Sequence, residues 1–193
     1  MLVIGDACNP ETAEVVSSFH DERIFYVNLP QRCGEQSGPN SIEMMLADTE
    51  YIALLNHDDL WLPDHLETAL SALNTPLTDL FVSRAAFVFE CSSFTPKVFA
   101  DVVFTETSPP IRHLKHAFME TPSLFEPSSS WVVRKSALHK VGYWKAASDL
   151  YRSPLVDWIL RAWRARVRLS QSRDVTVLKF RNNRKSDNEA LSY

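Results

Sequence analysis

Short apolar runs separated by segments of helical period constrain this chain more than any other feature. Met1–Ile4 is apolar and ends at Gly5 and Asp6, which predicts a buried strand leaving a sheet into a turn. Asn9 is placed to cap a helix, Pro10 suits its first position with φ already set, and Ala13, Val16 and Phe19 form its expected buried face. Ile24–Leu29 alternates as a strand, Ile42, Met45 and Leu46 recur at helical spacing, and Tyr51–Leu55 is a continuous apolar strand. The order β-α-β-α-β implies an α/β fold, its mostly parallel sheet covered by helices on both faces and its ligands gathered at the carboxyl ends of the strands.

Beyond that core pattern, Pro63 is expected to open a helix whose Leu66, Ala69, Leu70 and Leu73 form an apolar stripe. Leu80–Phe89 and Val98–Phe104 predict strands divided by the polar segment Ser92–Pro96. Residues 105–129 carry Pro109, Pro110, Pro122 and Pro127 with His113 and His116, and are expected to be a long irregular stretch. Ser130–Val133 predicts a strand, Lys135–Val141 a short helix, Pro154 to about Arg166 a longer one, and Val175–Phe180 a last strand. The polar residues 181–193 form a tail.

Composition narrows the partners. The 193 residues are 45 % hydrophobic and 23 % charged, which supports a real core and is far from the composition of a disordered chain. A formal net charge of -4 without a long basic stripe argues against nucleic acid or an anionic membrane as the partner and favours a small molecule. Cys8, Cys33 and Cys91 are too widely spaced for a zinc or redox motif, and free thiols suit a reducing compartment. An acid at Asp6 interrupts any signal-peptide pattern, and no apolar run approaches the roughly 18 residues of a membrane span. A cytoplasmic protein without a transmembrane segment is the expectation.

Acidic side chains fall at three places where such a sheet collects ligands: Asp6 after the first strand, Asp58 with Asp59 after the third, and Asp157 in the late helix. Each also has a structural reading, in which Asp6 shapes a turn, Asp59 caps the next helix and Asp157 pairs with Arg161 one turn on. The middle cluster stands out, because a hydrophobic strand emptying into Asn56-His57-Asp58-Asp59 concentrates hard oxygen ligands. Mg²⁺ or Mn²⁺ needs only one or two protein carboxylates when phosphates and water complete its shell. His57 either faces solvent, orients Asp58 or touches the ligand.

Three runs carry a family resemblance: Gly5-Asp6-Ala7-Cys8-Asn9-Pro10-Glu11-Thr12, Gly34-Glu35-Gln36-Ser37-Gly38-Pro39-Asn40, and Glu50-Tyr51-Ile52-Ala53-Leu54-Leu55-Asn56-His57-Asp58-Asp59-Leu60-Trp61-Leu62-Pro63-Asp64. In order and spacing they resemble the family 2 glycosyltransferases of GT-A fold, and Ser129–Leu138 through Val156-Asp157-Trp158 looks like that family's acceptor-side segment. The resemblance implies one GT-A-like domain over 1–180, with a nucleotide-sugar-binding half at 1–75 and an acceptor-side half at 76–180. It implies transfer of a sugar from a nucleotide-diphosphate donor to the hydroxyl of a saccharide or other acceptor, with inversion. Asp6 would contact the base, Asn56 and Asp58 would hold the outer positions of the D-x-D motif, Asp59 would adjoin the nucleotide sugar, Asp58 would bind Mn²⁺ or Mg²⁺, and Asp157 would be the general base.

The chain departs from that pattern in three places. Asn56 stands where many relatives have Asp, which removes a charge and keeps an oxygen. Val156 replaces an acidic neighbour of the base, and the run from Met1 corresponds to the family's second strand, so the first strand and helix are expected to be lacking. An open strand edge at Leu2–Ile4 would call for pairing by another segment or by a second copy, making a homodimer one expectation. Asp157 is expected to be partly exposed rather than locked to Arg161. The rival readings are a catalytically weak or inactive nucleotide-binding protein of the same fold, and a nucleotidyltransferase.

Overall fold

The computed structural model describes residues 1–89, 105–106 and 127–181. The strand expected at Val98–Phe104, the stretch with His113 and His116, Cys91 and the tail beyond residue 181 lie outside the described residues. The chain divides into two compact units, Met1–Ile52 with Val133–Val167 and Ala53–Val132 with Arg168–Tyr193.

In the first unit β1 (Leu2–Gly5) pairs in parallel with β2 (Phe25–Asn28), in register from Leu2 opposite Phe25 to Gly5 opposite Asn28. The strands approach so closely at Gly5 that a Cβ there would stand 2.6 Å from Asn28 Oδ1 and from Tyr26 Oη. The crossover is α1 (Pro10–Ser17), with Pro10 in its first turn as expected. Its expected buried face is not formed, since α1 buries no residue and Phe19 is 67 % exposed. The sheet beneath has two strands among the described residues, too little surface for a helix to cover.

The next helix, α2 (Ser37–Leu46), packs on β1 and turns Ser37, Asn40 and Met44 inward, while Met45 and Leu46 face out. The periodic reading through Met45 and Leu46 was therefore offset, because a shift of one residue rotates a helical face by about 100°. Later in the same unit α4 (Lys135–Val141) packs against α5 (Pro154–Arg164). Gly142 closes α4 at φ 81°, a conformation that glycine adopts without strain. Trp158 is fully buried, donates its indole N–H to the Gly142 carbonyl at 3.0 Å and stacks on Trp144 at 6.5 Å.

The second unit is built on β5 (Leu80–Phe89) and β8 (Leu169–Arg181), which run parallel. β4 (Asp59–Trp61) adds antiparallel to β8, and β6 (Thr105–Glu106) antiparallel to β5. With β3 (Tyr51–Ala53) and β7 (Trp131–Arg134) the sheet order is β3-β7-β5-β8-β4. α3 (His65–Leu73) covers β5 and β8 through His65, Ala69 and Leu73, all fully buried. Leu66 and Leu70, expected in that stripe, are 44 % and 41 % exposed, so the buried face is narrower and includes a histidine. Two further differences concern strands: β8 begins at Leu169, well before Val175, and β4 lies between the expected strand at Tyr51–Leu55 and the expected helix at Pro63, where no strand was predicted. Both owe their form to pairing with distant strands, which local periodicity does not report.

Candidate functional site: an acidic turn on a buried anchor

The Asn-His-Asp-Asp run leaves β3 and forms a tight turn into β4. The Asp59 backbone N–H donates to the Asn56 carbonyl at 3.2 Å, so His57 and Asp58 occupy the two central positions of the turn. Both are exposed, and among the described residues the Asp58 carboxylate has no hydrogen-bond or ion-pair partner. Asp59, one residue on, is the opposite case: its side chain is 0 % exposed. The alternation of β4 produces this contrast, turning Asp59 into the sheet layer while Leu60 stays 56 % exposed.

A buried carboxylate needs partners, and Asp59 has three. Its Oδ2 accepts the Ser129 hydroxyl at 2.6 Å and the Asn56 side-chain amide at 3.2 Å. Lys179 stands directly opposite in the β4–β8 register, with Nζ 3.3 Å from Oδ1. Ser129 also receives the Asn56 backbone N–H on its hydroxyl at 3.0 Å and the Trp61 indole N–H on its carbonyl at 2.6 Å. Trp61 stacks on His65 with centroids 4.8 Å apart, and His65 Nδ1 lies 2.7 Å from Thr176 Oγ1 on β8. Burial pushes the His65 imidazole down to about 4, so it is neutral at neutral pH.

Asp6 and Asp157 belong to the other unit. Asp6 accepts the backbone N–H groups of Cys33 and Gly34 at 2.6 and 2.9 Å, and these bonds, the Cys33 one foremost, hold its carboxyl below the usual range. It thereby shapes the loop in which Gly34 takes φ 74°. Asp157, in the first turn of α5, departs from expectation: Arg161 Nε donates to its Oδ2 at 2.8 Å, and both side chains are only 18 % exposed. Arg161 is itself fixed by the carbonyls of Val141 and Tyr143 at 2.6 and 2.8 Å, because it caps the end of α4. The pair forms where the i, i+4 spacing meets these orphan carbonyls.

Among the described residues no three His, Cys, Asp or Glu side chains gather to hold a metal ion. The turn does fit a hard cation in the single-carboxylate mode, with Asp58 free and the Asn56 amide nitrogen already engaged, so that its oxygen is the available end. Ser129 and Lys179 were assigned no role from the sequence. The signal for Ser129 was the triplet Ser128-Ser129-Ser130 ahead of an apolar strand, an unusual composition for three fully buried residues. Lys179 had none, since its register with Asp59 spans 120 positions.

Against known proteins, the profile described as "Glycosyl transferase family 2" matches residues 1–142. The chain belongs to that family. Solved structures of S. aureus TarS share its GT-A fold: TarS 1-349 aligns with a TM-score of 0.66 at 16 % identity, over 93 % of this chain and 50 % of TarS 1-349. The same fragment in complex with UDP-GlcNAc aligns at a TM-score of 0.67 and 16 % identity over 94 % and 49 % of the two chains. Its complex with UDP gives 0.62, 16 %, 94 % and 51 %. This family 2 chain thus spans about half the length of those TarS fragments. No curated protein matches it, and none of its described helices is long and apolar enough to cross a membrane.

Proposed function

We propose that this chain transfers a sugar from a nucleotide-diphosphate donor to an acceptor hydroxyl with inversion, assisted by Mn²⁺ or Mg²⁺ at Asp58. The observation that carries the reading is the pairing of an exposed Asp58, without a partner among the described residues, with a buried, fully engaged Asp59 in the turn that follows β3. Family membership supports the transferase class, and the TarS complexes with UDP and UDP-GlcNAc make a uridine donor the first to test. The cation, when bound, supplies Lewis-acid stabilisation of the departing diphosphate.

The chain's own residues take the remaining roles. Asp58 binds the cation–diphosphate complex, and Asn56 offers an uncharged oxygen beside it. Asp6 faces the base side while keeping the 33–34 loop in shape. Asp157 accepts the acceptor's proton on Oδ1, as Oδ2 is held by Arg161, which fixes the carboxylate's orientation. The open side of β1, which pairs with β2 alone among the described residues, is where a second copy would add, and sedimentation tests that.

The deciding experiment follows release of nucleoside diphosphate from a panel of nucleotide sugars with Mn²⁺, with and without acceptor saccharides. Asp157→Asn should lower acceptor-dependent release by about 100-fold or more while the UDP–Mn²⁺ thermal shift persists. Binding without turnover in wild type would favour an inactive nucleotide-binding protein, and pyrophosphate release from a nucleoside triphosphate and sugar phosphate would favour a nucleotidyltransferase.

A further inference from the structure

Asp59 is adjacent to the proposed cation ligand and is the obvious candidate for a second contact to donor. Its surroundings rule that placement out. The carboxylate is 0 % exposed, and its oxygens already meet a hydroxyl, an amide and an ammonium group. Turning it towards a ligand would part it from Lys179, whose side chain is 23 % exposed, and leave the fully buried Ser129 hydroxyl without its acceptor where water does not reach.

The contacts also have a direction. Asp59 binds Asn56 through its amide group, and the intervening Ser129 binds Asn56 through its backbone N–H. The remaining bond joins the Asp59 N–H to the Asn56 carbonyl. Both corners of the turn are therefore pinned to each other and to one buried serine, and only its central residues are free. The same links fix the Asn56 amide with nitrogen inward. An aspartate at 56 would set a second carboxylate about 3 Å from Asp59, where like charges repel. The asparagine and the buried carboxylate thus suit each other.

We infer that Asp59, with Ser129 and Lys179, is a positioning cluster that acts through Asn56 and the turn to set where the Asp58 carboxylate stands, and does not itself touch the ligand. This rests on the proposed cation–diphosphate site at Asp58. It deepens that reading by naming residues from the 128–130 turn and from β8 on which Asp58 depends.

A double-mutant cycle on affinity tests it, with UDP and Mn²⁺ as the probe and calorimetric Kd measured at a temperature where each variant is folded. Ser129→Ala and Asp59→Asn should each weaken binding by about tenfold, the scale on which a displaced carboxylate loses its contact. In an Asp58→Ala background the same substitutions should change Kd less than twofold, because their effect runs through Asp58. Full additivity would show that Asp59 or Ser129 meets the ligand independently. An unchanged Kd in the single variants, alongside lowered melting temperatures, would show a purely structural role. Either outcome overturns the inference. A ligand-free arm separates its failure from that of the proposed site: Asn56→Ala and Ser129→Ala should be non-additive in melting temperature. If wild type binds no UDP–Mn²⁺ yet this coupling is present, the cation site is wrong and the anchored turn stands; additive losses sink the anchor itself.

Discussion

Asp58→Ala separates binding from folding. The side chain is exposed and has no partner among the described residues, so its removal should change ligand-free stability by no more than about 0.5 kcal/mol, the usual range for surface sites. With UDP and Mn²⁺ at about 100 times Kd, ligand linkage stabilises the wild type by about 2.7 kcal/mol, and for a chain of this size each kcal/mol moves Tm by about 2–4 °C. The expected wild-type shift is about 5–10 °C. A single contact from a carboxylate to a cation contributes about 2 kcal/mol, so its loss weakens Kd about thirtyfold. At the same ligand concentration about 0.9 kcal/mol then remains, and the shift falls to about 2–4 °C. Differential scanning fluorimetry on both proteins, with and without ligand, reads all four values. Mn²⁺ alone should move neither protein appreciably, because a lone carboxylate holds a hard cation only when phosphates complete the shell. The reasoning fails if Asp58→Ala keeps the full ligand shift, or if it lowers the ligand-free Tm by several degrees.

Two ionisable groups, the fully buried His65 and the half-buried Glu43, give further expectations. His65 is held near 4 against an ordinary 6.5, so the unfolded chain binds its proton first and stability falls as pH drops through that interval. The slope is up to about 1.4 kcal/mol per pH unit; His65→Phe should flatten it in urea titrations from pH 7 to 4, and an unchanged slope would refute the burial argument. Glu43 on α2 is raised to about 7 by burial, so the folded chain loses stability as pH rises from about 4.5 to about 7 and is level above. Glu43→Gln should therefore gain on wild type between pH 5 and pH 8, and a constant Tm difference across that range would contradict it.

Apolar runs bounded by Gly, Pro and acids located most elements, because strands and helices of this kind declare themselves by local periodicity. Leu80–Phe89 and Lys135–Val141 have the expected bounds, and the acidic turn follows β3, which ends at Ala53 rather than at the expected Leu55. The family, too, was legible in the runs around Asp6, Gly34 and Asp58, whose residue types and spacing resemble it. What packing decides was not legible. Phe19, expected on the buried face of the first helix, lies exposed in the turn beyond its end, Met44 rather than Met45 faces inward, and His65 takes a place in the core.

The same limit applied within the site. Asp58 and Asp59 are chemically identical neighbours, and nothing in their sequence says that one is exposed, with no partner among the described residues, while the other is buried against Lys179. That difference is made by β4 adding to β8, by the register that sets Asp59 opposite Lys179, and by a serine from the 128–130 turn. Likewise Asp157 and Arg161 were a possible pair by spacing, and the carbonyls at the end of α4 fix the arginine that forms it. The sequence by itself determined which residues could do chemistry and roughly which elements carry them, because both follow from residue type and local period. Only the tertiary structure decided which carboxylate is available, because burial and partnership are set by segments far apart in the chain.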